Sequence, residues 1–181
     1  KKLKNLKIIS FIRAHYLNQI IWEQITVPLI AKSLGSNIIL HTGNTGSTII
    51  SQLLGLKSCV VIHDVSFLKH SSIVPKPTNL YQYIGYIYRK WNIKKIALRS
   101  EIIFTVSNFA KADIRKELNI EGKKIKVIKN SLKKTFFKPL PKVVKNKNIL
   151  IISGDSPQKN LDFLINSIIE HNLVFRDWLI K

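Results

Sequence analysis

Four short stretches of this 181-residue chain carry side chains suited to binding or moving charge. His63 and Asp64 follow the apolar run Ser58–Ile62, at the point where an open α/β sheet keeps its ligand crevice. Thr42-Gly43-Asn44-Thr45-Gly46-Ser47-Thr48 joins a strand-like stretch to a helix-like one, and its glycines and hydroxyls let a backbone approach a ligand closely. That spacing is neither a Walker loop nor a dinucleotide fingerprint, so a phosphate site is the less favoured reading of it. Ser107 and Asn108 open a helical repeat, where unpaired N–H groups and a partial positive charge suit an anion. Lys159 and Asn160 open another, and a lysine there is understandable once an anion joins it. His63 by itself reads as structural. No second Cys or His lies at ligand spacing, so triad and metal readings fail and no metal is expected.

The elements that must position these groups are legible around residues 99–130. Ile102–Val106 is a strand-type run, Ser107 precedes a repeat of Ala110, Ile114 and Leu118, and Ile125–Ile128 is a second short strand. Strand, helix, strand implies a parallel sheet with the helix on one face. Upstream, a helix is expected from about Leu17 to Leu34 with Ile21, Ile25, Leu29 and Ala31 as its apolar stripe, a kink at Pro28 and a stop at Gly35-Ser36. Asn37–His41 reads as a strand, Ile49–Leu54 as a helix, and Ser58–Ile62 as a central strand buried on both faces. Lys1–Lys7 leads into Ile8–Ile12, a short strand or helix start.

A long helix is expected over 78–99, with Leu80, Ile84, Ile87, Trp91 and Leu98 on one stripe. Its favoured reading is a helix packed on the sheet with its basic face in water. A basic helix with interfacial aromatics is also the type that lies on an anionic membrane, which makes peripheral membrane contact the second option. The lysine-rich stretch 132–147, with Pro139 and Pro141, suits an interdomain connection. Asn148–Ser153 then starts afresh as a strand, followed by the turn Gly154–Lys159 and a helix with Leu161, Leu164, Ile165 and Ile168 on one face. The fold class is therefore α/β: a Rossmann-like parallel sheet over 1–131, and over 148–181 the first β-α unit of a second Rossmann-like domain.

Ile103–Phe109 with Lys124–Asn130 resembles the end of the N-terminal domain in group 1/family 4 glycosyltransferases. Val60–Asp64 upstream fits the same family, as do Ile151–Gly154 and Pro157–Leu161 downstream. Together they cover most of the chain from about Trp22 to Ile169. The resemblance implies a GT-B enzyme that moves a sugar from a nucleotide-diphosphate donor, with retention, to a polysaccharide, lipopolysaccharide or lipid-linked acceptor of the cell envelope. It implies that His63 is catalytic and lies close to the donor sugar, and that Lys159 and Asn160 bind the diphosphate. Gly43, Asn44, Thr45, Gly46, Asp64, Ser107 and Asn108 would line the cleft. No cofactor beyond the donor substrate is implied. Trp22-Glu23-Gln24 with Pro28 is also similar to the family, with Trp22 read as core and Glu23 as solvated in preference to a role in the cleft.

This sequence departs from the family in places. Asp155 and Gln158 stand near Lys159 where a basic residue is common, and Asn130-Ser131 replaces Asn-Gly. The family's glycine-rich opening and its later glutamate-bearing segment are missing, so the 181 residues read as a fragment expected to show little or no transferase activity alone. On that reading nucleotide-diphosphate binding needs the missing half and is lost on Lys159→Ala.

Composition bounds the rest. A 45% hydrophobic and 22% charged chain is globular. The one cysteine, Cys59, offers no disulfide framework, and a reducing cytoplasm, with or without contact to the inner face of the membrane, is the expected compartment. No apolar run is long enough to span a bilayer. The formal charge of +20 suits phosphate-bearing substrates, anionic membranes or nucleic acid. Nucleic acid is the least favoured, because no module that reads it is legible. The competing reading is a basic, non-enzymatic α/β module bound to nucleic acid or to an anionic membrane surface.

Overall fold

The computed structural model describes residues 16–71, 74, 76–77, 79–131, 148–149, 159–171 and 179–180. The expected lead-in over 1–12, the connection over 132–147 and the turn over 154–158 lie outside the described residues.

Four strands form one parallel sheet in the order β1 (Ile38–His41), β2 (Lys57–Val61), β3 (Ile102–Thr105) and β4 (Ile125–Val127). The connections carry α3 (Ile49–Leu53), α4 (Leu80–Arg99) and α5 (Asn108–Leu118). Each strand is followed by its neighbour on the same side. Right-handed crossovers taken repeatedly in one direction place all three helices on one face of the sheet. On that face Val60, Ile62, Ile103 and Ile125 meet Tyr86, Ile93 and Ile96 of α4 and Ile114 of α5 in the core.

The opposite face is barer. Ser58 and Val60 are buried, whereas Lys57 is exposed and Cys59 and Val61 only half-buried, so β2 is not enclosed on both sides as its apolar run suggests. Helices cover one face alone among the described residues, and the side-chain alternation of a strand follows that asymmetry.

The βαβ unit matches its sequence signals. Ser107 caps α5 by accepting from the Ala110 N–H at 3.0 Å, Ala110 and Ile114 are buried, and Leu118 packs against the core. Asn119 closes the helix in the left-handed region, with φ 52°.

The helix ahead of the sheet is broken in an informative way. It runs as α1 (Tyr16–Ile21), a π turn over Trp22–Thr26, and α2 (Val27–Ser33). Pro28 has no N–H to offer the Gln24 carbonyl, and that carbonyl accepts instead from Ser47 Oγ at 3.2 Å. Gly35, at φ 72°, ends α2 with Ser36 N–H bonded to the Ala31 carbonyl at 2.9 Å.

Two apolar stripes face the other way from expectation. Ile21, Ile25 and Leu29 are exposed, because the side of this helix turned to the protein is the polar one, at Glu23 and Gln24. In α4 the buried residues are Gly85, Tyr86, Asn92, Ile93, Ile96 and Ala97, and the stripe Leu80-Ile84-Ile87-Trp91-Leu98 points away from the core.

Farther on, β5 (Asn148–Ile149) and β6 (Leu179–Ile180) pair in parallel in a sheet of their own, with α6 (Leu161–Glu170) between them in the chain. Strand, helix and parallel strand thus recur there. No described helix is long and apolar enough to cross a membrane.

Candidate functional site

Because the four strands run the same way, the segments that leave β1, β2 and β3 emerge along one edge of the sheet. Thr42–Thr48, His63-Asp64 and Ser107-Asn108 are those segments.

The first two are tied together. Asn44 sits in the left-handed region at φ 56°, which leaves its N–H on the Val61 carbonyl at 3.0 Å and its Oδ1 on the His63 N–H at 2.6 Å. The His63 ring returns across the gap, with Nε2 3.2 Å from the Thr42 carbonyl. That oxygen can only accept, so Nε2 carries the proton, and in the neutral ring Nδ1 is the nitrogen able to accept. His63 itself is exposed. The result is an imidazole held at backbone and ring by one loop, with its face to solvent at the strand ends.

Asp64 is engaged locally. Its Oδ1 accepts from the Ser66 N–H at 3.0 Å and from Ser66 Oγ at 2.6 Å, which fixes the short 3-10 turn over Ser66–Leu68. Ser107 is taken by its cap, and Asn108 is exposed in the first turn of α5.

The β1 loop is held from behind by a polar cluster that the residue pattern did not reveal. Asn92, fully buried in α4, accepts from the Gly46 N–H at 2.9 Å through Oδ1 and donates to the Gly46 carbonyl at 2.9 Å through Nδ2. Gln24 also donates to that carbonyl, at 2.7 Å, while its Oε1 accepts from the Thr48 N–H at 3.2 Å. Glu23 Oε2 accepts from Thr45 Oγ1 at 2.7 Å, and its Oε1 accepts from the Tyr88 hydroxyl. Glu23 is therefore half-buried and bonded rather than solvated, and Trp22 is half-buried rather than core. The π turn presents Glu23 and Gln24 side by side to the loop, which no regular period predicts.

Gly46, in the same loop, is buried. A Cβ on it would lie 2.5 Å from Cγ of His41, whose buried ring fills the space beside it. Burial pushes the His41 imidazole down to about 4, so it is neutral near pH 7. The open side of the loop is a cleft of about 450 Å³ between the π turn and β1, the outermost described strand of the sheet on that side. Gly43 and Thr45 line it together with Trp22, Glu23 and Thr42; His63 lies across Thr42 from it.

Lys159 and Asn160 are exposed at the start of α6, with Asn160 at φ 48° and no side-chain cap bond. The structure joins Gly43, Asn44, Thr45 and His63 into one arrangement, and gives no contact between these and Lys159. Among the described residues no group of three or more His, Cys, Asp or Glu could hold a metal ion.

No family model matches the chain. It is 26% identical over 190 aligned residues to the O-antigen chain mannosyltransferase RfbU of Salmonella typhimurium, an alignment that covers 94% of this chain and 50% of that protein. The chain thus spans half the length of this relative, which is named as a mannosyltransferase.

Proposed function

We propose that this chain works in glycosyl transfer, as part of a GT-B enzyme that takes a sugar from a nucleotide-diphosphate donor, with retention, to a polysaccharide, lipopolysaccharide or lipid-linked acceptor. The observation that carries the reading is the way one loop fixes His63 at the carboxyl edge of a parallel sheet, in a chain similar to a mannosyltransferase along nearly its whole length.

The chemistry asks for such a group. As the glycosidic bond to the diphosphate breaks, the anomeric carbon gains positive character and the leaving group gains negative charge. His63, with Nε2–H committed to Thr42, has Nδ1 to offer to the sugar or its immediate neighbours. The leaving diphosphate needs cations and N–H donors already in place. Lys159 and the first N–H groups of α6, beginning after Asn160, are the groups proposed for that task. Gly43, Asn44 and Thr45 are proposed to border the acceptor, along with Asp64, Ser107 and Asn108 at the same sheet edge. Exclusion of water matters here, since water competes with the acceptor.

The test is an assay of the polypeptide produced from its native gene against a panel of nucleotide-diphosphate sugars, mannosyl donors included. The expected result is release of nucleoside diphosphate with transfer of the sugar in its original anomeric configuration. Failure to release nucleoside diphosphate from any donor, with crude envelope lipid and glycan as acceptors, overturns the reading.

A further inference from the structure

Helix α4 has two apolar faces, and only one of them is used. Gly85, Tyr86, Ile93, Ile96 and Ala97 pack inward. Leu80, Ile84, Ile87, Trp91 and Leu98 are 42–73% exposed. At about 100° per residue these five fall within a strip roughly 60° wide, along a helix about 30 Å long. An ordered apolar strip of that length is costly to leave in water.

Its flanks are informative. Lys90 and Lys94 stand on one side of the strip and Lys95 and Arg99 on the other, and residues 80–99 contain no Asp or Glu. Two of the ammonium groups lie over aromatic rings of the same helix, Lys95 Nζ 4.2 Å from the Trp91 ring centroid and Lys90 Nζ 5.2 Å from that of Tyr86. An apolar centre with cations on both margins matches the cross-section of an interfacial helix: the centre enters the acyl boundary and the ammonium groups reach the phosphates. A groove on a protein partner would need the strip but gives no reason for cations on both margins of its second half, from Lys90 to Arg99. The whole chain, with 30 basic against 10 acidic residues, adds long-range attraction of the same sign.

We propose that the outer face of α4 docks this protein on an anionic lipid bilayer through Ile84, Ile87, Trp91 and Leu98, with Lys90, Lys94 and Lys95 on lipid phosphates. The chain leaves β2 at His63 and enters α4 at Leu80, so the first turn of this helix lies toward the strand ends that carry the candidate site. Docking is independent of sugar transfer and stands or falls separately.

The experiment is co-sedimentation of the full chain with vesicles of phosphatidylcholine, with and without about 30% phosphatidylglycerol, which supplies the negative surface potential. Far-UV and near-UV circular dichroism confirm that each variant folds. Binding is expected only with the anionic lipid. Ile87→Ser with Trp91→Ser should lower partition about tenfold or more. Each of Lys94→Gln and Lys95→Gln should lower it about fivefold. The exposed pair Lys116→Gln and Lys126→Gln, outside α4, should lower it far less. Brominated lipid should quench Trp91. Absence of binding to anionic vesicles overturns the proposal. So does equal sensitivity to the Lys116/Lys126 pair, or indifference to the Ile87/Trp91 pair, since either would make binding a matter of bulk charge. Loss of a dimer in light scattering, with vesicle binding unchanged, would assign the strip to a second copy of the chain instead.

Discussion

Asn92 and Gly46, far apart in the chain, are joined by a matched pair of hydrogen bonds, each 2.9 Å long, in which the side-chain amide of Asn92 takes both the N–H and the carbonyl of Gly46. A helix interior thereby dictates the path of a loop at the sheet edge. Everything that positions His63 begins with that grip, because the same loop supplies Asn44 and Thr42.

Asn92→Leu should be the most damaging single change in the cluster. It leaves the buried Gly46 N–H without a partner, while the carbonyl keeps Gln24. The expected loss is about 2–3 kcal/mol, read as a lower urea midpoint at unchanged slope. A midpoint within error of the parent would mean that the grip contributes nothing.

Gly46→Ala meets the His41 ring at 2.5 Å and should destabilise by a further route, steric rather than polar. A cost of about 1–3 kcal/mol is expected. Combining it with His41→Ala should recover part of that cost, because the clash partner is gone. Simple additivity of the two changes would rule out the contact as the cause.

Glu23 and Tyr88 should behave as a coupled pair. Glu23 holds both the Thr45 hydroxyl and the Tyr88 hydroxyl, so Tyr88→Phe and Glu23→Gln remove overlapping bonds. A double-mutant cycle in thermal unfolding should give a coupling of about 1 kcal/mol or more. Zero coupling would place the two in separate roles.

How much of this could be read beforehand divides along physical lines. The β3–α5–β4 unit was legible since Ala110, Ile114 and Leu118 recur at helical spacing and Ser107 is a cap by its chemistry. The stop at Gly35 and the disturbance at Pro28 were legible for the same local reasons. The parallel sheet, and the strand ends that carry His63, followed from those units. What stayed hidden depends on tertiary choice. In α4 and in the helix around Ile25, apolar residues recur at helical spacing on a face that ends up outside, and spacing does not say which face meets the sheet. Asn92 looked like any helical asparagine, though its place four residues after Tyr88, beside Ile93, was a signal for a buried amide. Glu23 and Gln24 meet the loop only through a π turn, which breaks the period that would have announced them.

Acid should weaken the fold through His41. Its folded value of about 4 lies below the ordinary 6.5, so on acidification the unfolded chain takes up the proton first. The stabilising contribution is complete above about pH 6.5 and drains away as pH falls toward 4, by at most about 3 kcal/mol. The melting temperature should fall between about pH 7 and pH 4.5, and His41→Asn should flatten that fall. An identical decline in parent and variant would assign it to other groups.

Sugar transfer through His63 is tested most directly by donor turnover in His63→Ala, made in the polypeptide from its native gene. His63 is exposed and outside the core, so the variant should keep its melting temperature to within a few degrees. The expected result is a kcat lower by about 100-fold or more, with the donor KM little changed, whereas Lys159→Ala should chiefly raise that KM. Turnover of His63→Ala at the parent rate would contradict the assignment of this imidazole to the reacting sugar.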